Sequence, residues 1–207
     1  MNNPKVRVKI CGIKDLDTGR YAVKCGADAL GFVFASSSRQ VTPEQARSII
    51  FNLPPFISKV GVFVNAPKEK VQQIARECRL DYVQLHGDET PEYAKEIGIP
   101  VIKAFRVRDA EVLQQAAEYP ADAVLLDAYT PGVAGGTGKT FNWHLLKKAQ
   151  LRTPLILAGG LTAENITEAI QIVHPYALDV SSGVETEGKK DLQKIAMFMS
   201  RVEKGVS

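Results

Sequence analysis

KVGVFV (residues 59–64), followed by PKEKVQQIAREC (67–78) and YVQLH (82–86), is the stretch of sequence that decides the predicted fold. The first and last segments are short apolar runs rich in β-branched residues, which is typical of buried strands. The segment between them repeats its apolar residues at the spacing of an amphipathic helix. A strand, a helix and a second strand in this order predict a βαβ unit with parallel strands.

The same pattern of strand and helix repeats along the whole chain. We predict eight strands, VRVKIC (6–11), ALGFVF (29–34), KVGVFV (59–64), YVQLH (82–86), VIKAFRV (101–107), AVLLDA (123–128), PLILAGG (154–160) and ALDVSSGV (177–184). A predicted helix follows each strand. The second helix begins with Thr42 as N-cap and Pro43 in the first turn, and the sixth covers NWHLLKKAQ (142–150) after a glycine-rich loop. Eight such units, without a break in composition, predict an α/β fold, a single-domain (β/α)8 TIM barrel over residues 1–207. The alternative is an open doubly wound sheet.

Composition and charge exclude several classes of function. The net charge is only +3, and the basic residues are spread among the acidic ones. Because no concentrated basic stripe is present, we expect no nucleic-acid partner. No apolar run reaches the roughly 18 residues that a membrane span needs, and charges interrupt the N-terminal segment where a signal peptide would be apolar. We therefore expect no membrane partner.

The cysteines and histidines indicate neither disulfides nor a metal site. Three cysteines, Cys11, Cys25 and Cys78, are an odd number with wide spacing and no CxxC pair, which favours a reducing, cytoplasmic location. Of the three histidines only His86 ends a predicted strand, so we expect no bound metal. His86 itself is either a binding residue or a polar side chain that is simply satisfied by hydrogen bonds.

Two reactive side chains end predicted strands. In a barrel the chemistry gathers at the C-terminal ends of the strands, and Cys11 ends the first strand while Asp127 ends the apolar part of the sixth. A thiol and a carboxylate that face each other across the barrel mouth are a candidate base and acid. The simpler alternatives are a buried, apolar cysteine and an aspartate that caps a loop.

Glycine-rich segments end the last two predicted strands and lead into the loops after them. Barrels often bind phosphate between these two loops through backbone N–H groups, and glycine allows the close approach of the anion. The candidate phosphate-binding residues are Gly159, Gly160, Ser182 and Gly183. The alternative is a pair of ordinary turns.

A third glycine-rich segment, GGTGKT (135–140), looks like a nucleotide-binding P-loop. That motif requires a glycine five positions before Gly138, and Val133 occupies this position. The segment also starts several residues beyond the sixth predicted strand. We interpret it as a mobile lid or substrate loop.

Eight short motifs, taken together, resemble one enzyme family. KICGI, GFVF with a following SSR, VGVFVN, VQLHG, LLDA, GGTGKTF, LAGGL and DVSSGVE occur in this order over nearly the whole chain. In this respect the sequence is similar to the phosphoribosylanthranilate isomerase family of tryptophan biosynthesis.

The resemblance implies an Amadori rearrangement without a cofactor. Its substrate would be the small phosphoribosyl compound N-(5-phosphoribosyl)anthranilate, and its product 1-(2-carboxyphenylamino)-1-deoxyribulose 5-phosphate. It implies that Cys11 is the general base, that Asp127 is the general acid and that Arg39 binds the anthranilate carboxylate, to which a guanidinium offers two parallel donors. A free aspartic acid is protonated to only about one part in a thousand at pH 7, so either an apolar setting favours the protonated form or that fraction suffices. We expect a monomer or a homodimer.

Three rival functions are less consistent with these residues. The Amadori isomerase of histidine biosynthesis resembles a longer barrel with an aspartate at the end of the first strand, where this chain has Cys11. A ribulose-phosphate epimerase would require metal-binding histidines. A non-catalytic nucleotide-binding module would depend on residues 135–140, whose glycine spacing does not fit.

Overall fold

The computed structural model describes residues 5–128, 143–148 and 151–205. Eight parallel strands pair in chain order and close into a barrel, because the eighth strand pairs with the first. The strands are β1 (Arg7–Cys11), β2 (Ala29–Val33), β3 (Ser58–Phe63), β4 (Tyr82–Leu85), β5 (Val101–Arg106), β6 (Ala123–Asp127), β7 (Leu155–Ala158) and β8 (Ala177–Val180). The predicted TIM barrel is therefore confirmed.

Seven α-helices cover the outside of the barrel in the described part of the chain. They are α1 (Leu16–Lys24), α2 (Pro43–Ile50), α3 (Lys68–Cys78), α4 (Pro91–Glu96), α5 (Ala110–Glu118), α6 (Ile166–Val173) and α7 (Leu192–Gly205). Helix α2 begins as predicted, since the Thr42 hydroxyl accepts from the Gln45 N–H while the Gln45 side chain accepts from the Thr42 N–H. No described helix has the length and apolarity that a membrane span requires.

The sixth βα unit differs from the prediction. An α-helix was expected over NWHLLKKAQ (142–150), but residues Trp143–Lys148 form a 3₁₀-helix. Trp143 and Leu146 are buried and three residues apart, which matches the three residues per turn of a 3₁₀-helix. Residues 129–142, which include the glycine-rich segment 135–140, lie outside the described residues. The interpretation of that segment as a lid or substrate loop therefore stays a prediction.

The last two strands are shorter than predicted, and this shapes the barrel mouth. Strand β7 ends before Gly159 and Gly160, whose φ angles of 92° and 63° lie in the left-handed region and cannot continue a strand. After β8, residues Ser182–Val184 form a 3₁₀ turn. A small antiparallel hairpin follows, with strands β9 (Glu185–Thr186) and β10 (Lys189–Lys190).

Apolar side chains fill both sides of the strands. The larger cluster lies between the sheet and the helices and includes Phe32, Leu126 and Phe198. A smaller cluster, which includes Leu125 and Ile156, fills the barrel interior. Polar side chains are also buried inside the barrel, namely Lys9, Gln84 and Asp179. The interior is therefore a packed core whose polar part leads towards the C-terminal ends of the strands.

Candidate active site

One cavity collects every residue that the sequence analysis singled out as a site residue. It has a volume of about 360 Å³ and lies at the C-terminal ends of the strands. Its lining includes Cys11, Arg39, Asp127, Gly159, Gly160, Ser182 and Gly183. This volume is in the range of small-molecule binding sites.

A larger cavity of about 870 Å³ adjoins the first one. The two share Val64, His86 and Arg106, and the larger extends between the segments that follow β4 and β5. Neither Cys11 nor Asp127 lines the larger cavity. Of these two cavities, the smaller one contains both the candidate base and the candidate acid, and we take it as the candidate active site.

Cys11 is held rigidly at the end of β1. It is 8% exposed, it is the register partner of Gly31 on β2, and its carbonyl oxygen accepts a hydrogen bond from the Ser181 hydroxyl at 3.1 Å. Burial raises the pKa of the Cys11 thiol, the Lys9 ammonium opposes this rise, and the Asp179 carboxylate adds to it. The thiol therefore ionises less readily than a free cysteine, in an environment that contains both signs of charge.

Asp127 ends β6 and lies beside His86. The distance between His86 Nε2 and Asp127 Oδ2 is 4.0 Å. On its other side His86 Nδ1 lies 3.0 Å from the amide nitrogen of Gln84. Because an amide NH₂ group can only donate, we assign the ring proton to Nε2, the atom that faces Asp127. Burial lowers the pKa of His86, so its ring is neutral at pH 7. His86 is thus a hydrogen-bonded side chain and also part of the cavity wall.

Arg39 reaches the cavity from the loop after β2, across the backbone of Gly12. A Cβ atom at Gly12 would lie 2.7 Å from Arg39 Cδ, and Gly12 has a φ of 85°, so only glycine fits there without strain. The guanidinium donates two hydrogen bonds to Glu185, from Nε at 2.8 Å and from Nη2 at 2.6 Å. This pair uses two of the five guanidinium N–H donors.

Glu185 joins Arg39 to a second cation, Lys190, through the hairpin of β9 and β10. The Lys190 ammonium lies 2.6 Å from Glu185 Oε1 and donates to the carbonyl oxygen of Ser181 at 2.9 Å. Burial by itself would raise the pKa of Glu185, but hydrogen bonds from Arg39 and Lys190 lower it. Burial lowers the pKa of Lys190, and Glu185 opposes this. The three side chains carry one net positive charge, which suits an anionic ligand.

The two glycine-rich loops are braced against each other. Asn165 holds the loop after β7, since its amide donates to the carbonyl oxygen of Gly160 at 2.9 Å and its oxygen accepts from the Thr162 N–H at 2.9 Å. A Cβ atom at Gly183 would collide with the carbonyl oxygen of Leu161, whereas a Cβ atom at Gly160 would meet nothing within 4 Å. Gly183 therefore permits the contact between the loops, and Gly160 supplies the backbone conformation.

The remaining cysteines lie away from the cavity. Cys78 is buried on α3, where its thiol contacts the carbonyl oxygen of Pro43 at 3.4 Å and burial raises its pKa to about 11. Cys25 caps the C-terminus of α1. Neither lines the candidate site, as their helical positions predicted. Among the residues that the structure describes, no group of three or more histidine, cysteine, aspartate or glutamate side chains could hold a metal ion.

Sequence reasoning missed the polar and charged residues that support the site, namely Lys9, Gln84, Asp179, Glu185 and Lys190. The sequence does contain a signal for Lys9. Lys9 interrupts an apolar strand two residues before Cys11, and the two-residue period of a strand places both side chains on the same face. A charged side chain at such a position is costly unless it is paired, so it indicates a buried partner.

Comparison with known proteins identifies the family. The profile described as N-(5'phosphoribosyl)anthranilate (PRA) isomerase matches residues 8–201. The chain belongs to this family. The resemblance seen in the eight motifs is thereby confirmed, together with the predicted activity, that of an isomerase of tryptophan biosynthesis.

Named relatives of the PRA isomerase family match over nearly the full length. The N-(5'-phosphoribosyl)anthranilate isomerase of Desulforamulus reducens is 54% identical over 197 residues, which cover 95% of this chain and 95% of that protein. The crystal structure of phosphoribosyl anthranilate isomerase from Thermotoga maritima has a TM-score of 0.89 and 46% identity, with coverage of 96% and 99%. A structure of the enzyme in complex with reduced 1-(o-carboxyphenylamino)-1-deoxyribulose 5-phosphate has a TM-score of 0.86 and 43% identity, again with coverage of 96% and 99%.

Proposed function

We propose that this chain converts N-(5'-phosphoribosyl)anthranilate to 1-(2-carboxyphenylamino)-1-deoxyribulose 5-phosphate, with Cys11 as general base and Asp127 as general acid. The observation that carries the proposal is the single cavity, in which a thiol, a carboxylate, an arginine and two glycine-rich loops converge. The ligand of the solved relative, a reduced form of this product, carries a carboxylate at one end and a phosphate at the other. The cavity offers a group suited to each end.

The first chemical step opens the ribose ring. Asp127 donates a proton to the ring oxygen, the C1–O bond breaks, and the nitrogen lone pair forms a C1=N Schiff base. The neutral His86 ring has its Nε2 proton on the side of Asp127, so it stabilises the carboxylate that remains after the proton has left. In this role His86 supports the acid without exchanging a proton with the substrate.

The second step removes the proton from C2. The C2–H bond breaks, the proton goes to the Cys11 sulfur, and the electron pair forms the C1=C2 bond of an enolamine while the Schiff-base nitrogen becomes neutral. The enolamine then tautomerises to the ketone product, so the reaction needs neither an oxidant nor a reductant. Cys11 suits this step because its backbone is fixed by the Ser181 hydroxyl at the end of β1.

The two ends of the substrate bind to different walls of the cavity. The guanidinium N–H donors that Glu185 does not use bind the anthranilate carboxylate. Backbone N–H groups of Gly159, Gly160, Ser182 and Gly183 bind the phosphate, as loops after the last two strands of barrels commonly do. Anchors at both ends place the reacting C1 and C2 atoms between Cys11 and Asp127.

A turnover assay tests the proposed reaction. The purified protein is incubated with N-(5'-phosphoribosyl)anthranilate, and the loss of the anthranilate-type fluorescence is followed. We expect rapid conversion to a product of unchanged mass that borohydride reduces at its ketone. The substrate of the histidine-pathway isomerase and ATP serve as controls and should remain unchanged. A folded protein that leaves N-(5'-phosphoribosyl)anthranilate unconverted would contradict the proposal.

We also propose that the enzyme works in the cytoplasm. All three cysteines are free thiols, which supports a reducing compartment. Fractionation of cells that express the protein tests this proposal, and recovery in a secreted fraction would contradict it.

The sequence-based expectation of a monomer or homodimer stays a prediction, which light scattering of the purified protein checks.

A further inference from the structure

Lys9 is a buried cation with no place in the mechanism so far. Its side chain is 4% exposed inside the barrel, and its ammonium lies 2.8 Å from Oδ1 of Asp179, its register partner on β8. Lys9 does not line the active-site cavity, whereas Cys11 and Asp179 do. A buried charge is expensive even when it is paired, so its position two residues before Cys11 requires an explanation.

Because Gly31 has no side chain, the side chains of Lys9 and Cys11 can approach each other beside it. A Cβ atom at Gly31 would lie 2.8 Å from the Cys11 sulfur and 3.1 Å from Lys9 Cε. The thiol and the end of the lysine side chain therefore share the space that any other residue at position 31 would occupy. In this arrangement the Lys9 ammonium donates a hydrogen bond to Asp179 and lies near enough to the Cys11 sulfur for its charge to act on the thiol.

The charges around the Cys11 sulfur come from four directions. Lys9 approaches along β1, Asp179 from β8, Lys190 from the β9–β10 hairpin and Arg39 from the loop after β2. Burial raises the pKa of the thiol, and the Lys9 ammonium is the strongest group that opposes this rise. Asp179 raises the same pKa and Lys190 lowers it. Because burial disfavours a thiolate, a base at this position depends on a cation beside it.

We propose that Lys9 is a positioning residue that stabilises the thiolate form of Cys11, and that Asp179 limits how strongly it does so. The proposal rests on the proposed function in that it takes Cys11 to be the base. It assigns the buried ion pair a role beyond packing. The Lys9 ammonium is the counter-ion of the Cys11 thiolate before the C2 proton is transferred. When the sulfur accepts that proton, it becomes a neutral thiol.

A titration of the Cys11 thiol tests this role directly. In a background in which Cys25 and Cys78 are replaced by alanine, Cys11 is the only thiol. Its ionisation is followed between about pH 7 and 11 by ultraviolet thiolate absorbance and by the rate of alkylation with iodoacetamide. Lys9→Met should raise the thiol pKa, so that the thiolate fraction and the alkylation rate at a fixed pH within this range fall by roughly tenfold or more, and Asp179→Asn should change both in the opposite direction. The exposed Lys24→Met is the matched control and should leave the titration unchanged.

Kinetics provide the second readout. In Lys9→Met the rise of kcat/KM with pH should move to higher pH together with the thiol titration, whereas KM at a fixed pH should change little. An effect on packing alone would lower activity without moving the pH profile. If Lys9→Met fails to fold because Asp179 is left unpaired, the double variant Lys9→Met/Asp179→Asn is compared with Asp179→Asn, and the thiol pKa should be higher in the double variant.

Failure of this proposal can be distinguished from failure of the proposed function. A Cys11 titration that is the same with and without Lys9 would overturn the role of Lys9, whatever the activity of the variants. Turnover retained by Cys11→Ala would overturn the assignment of the base, whether or not the titration shifts.

Discussion

The guanidinium of Arg39 and the carboxylate of Glu185 form an ion pair with two parallel hydrogen bonds, although the residues are 146 positions apart in the sequence. The hydrogen bond with Glu185 raises the pKa of Arg39. A guanidinium group is planar, so two hydrogen bonds to one of its edges also fix the direction of the N–H donors on its other edge. Glu185 therefore determines how Arg39 faces the cavity.

Glu185→Gln should weaken substrate binding more than it slows the chemical step. Glutamine keeps the shape of glutamate but loses the charge that holds Arg39. Arg39 is partly exposed, so solvent screening reduces the effect, and we expect KM to rise roughly five- to tenfold with little change in kcat. Steady-state kinetics check this expectation. The exposed Glu187→Gln on the same hairpin is the control, and an equal rise of KM in both variants would contradict it.

Arg39→Ala should discriminate between ligands with and without a carboxylate. Loss of a charge-assisted hydrogen bond should weaken the binding of anthranilate-bearing ligands by about 1.5–3 kcal/mol. A product analogue with phenylamine in place of anthranilate should bind the variant and the wild type alike. Calorimetry measures both affinities. If the analogue without a carboxylate loses as much affinity, Arg39 acts through the structure of its loop.

Gly160→Val should impair phosphate binding through the backbone. A Cβ atom has room at this position, but the φ of 63° is unfavourable for a β-branched residue, so the loop and its N–H groups must move. We expect a higher KM and a loss of competitive inhibition by inorganic phosphate. Ser182→Ala is the control, since one neutral hydrogen bond contributes only about 0.5–1.5 kcal/mol. A Gly160→Val protein, folded by circular dichroism, that phosphate still inhibits like the wild type would rule out this role.

The buried thiol of Cys78 should make the stability of the fold depend on pH in the alkaline range. Its pKa is raised from 9.0 in the free group to about 11 in the folded protein, mainly by burial. The protonated thiol therefore contributes stability that is complete below pH 9 and is lost as the pH rises towards 11. Urea unfolding at both ends of this range should show a smaller loss for Cys78→Ala than for the wild type. Cys25→Ala should behave like the wild type, and identical losses in all three proteins would contradict this account.

The placement of Cys11 and Asp127 could be predicted from the sequence because it depends on short-range patterns. Eight apolar runs at regular spacing predict the barrel, and a barrel brings the ends of all its strands to one mouth. The end of each strand was predicted to within a few residues, which was enough to place both side chains there. Local glycine chemistry likewise pointed to Gly159 and Gly160, which follow β7 with positive φ.

The supporting ion pairs could not be predicted because they depend on long-range geometry. Lys9 and Asp179 are 170 residues apart, and they meet only because β1 and β8 close the barrel in one register. Glu185 and Lys190 meet Arg39 through a hairpin with two residues in each strand, too short to give an alternating pattern. The 3₁₀-helix at Trp143–Lys148 was missed for a different, local reason, because its apolar spacing also fits one turn of an α-helix.

The most direct test of the central claim is the kcat of Cys11→Ala for N-(5'-phosphoribosyl)anthranilate, measured beside Asp127→Asn and the control Cys25→Ala. If Cys11 is the base and Asp127 the acid, kcat should fall by about 10²–10⁴ in each of the first two proteins, with KM within a few-fold of the wild type. Cys25→Ala should retain full activity. A folded Cys11→Ala protein that turns over at the wild-type rate would contradict the account, and a change in KM alone for Asp127→Asn would reduce Asp127 to a binding residue.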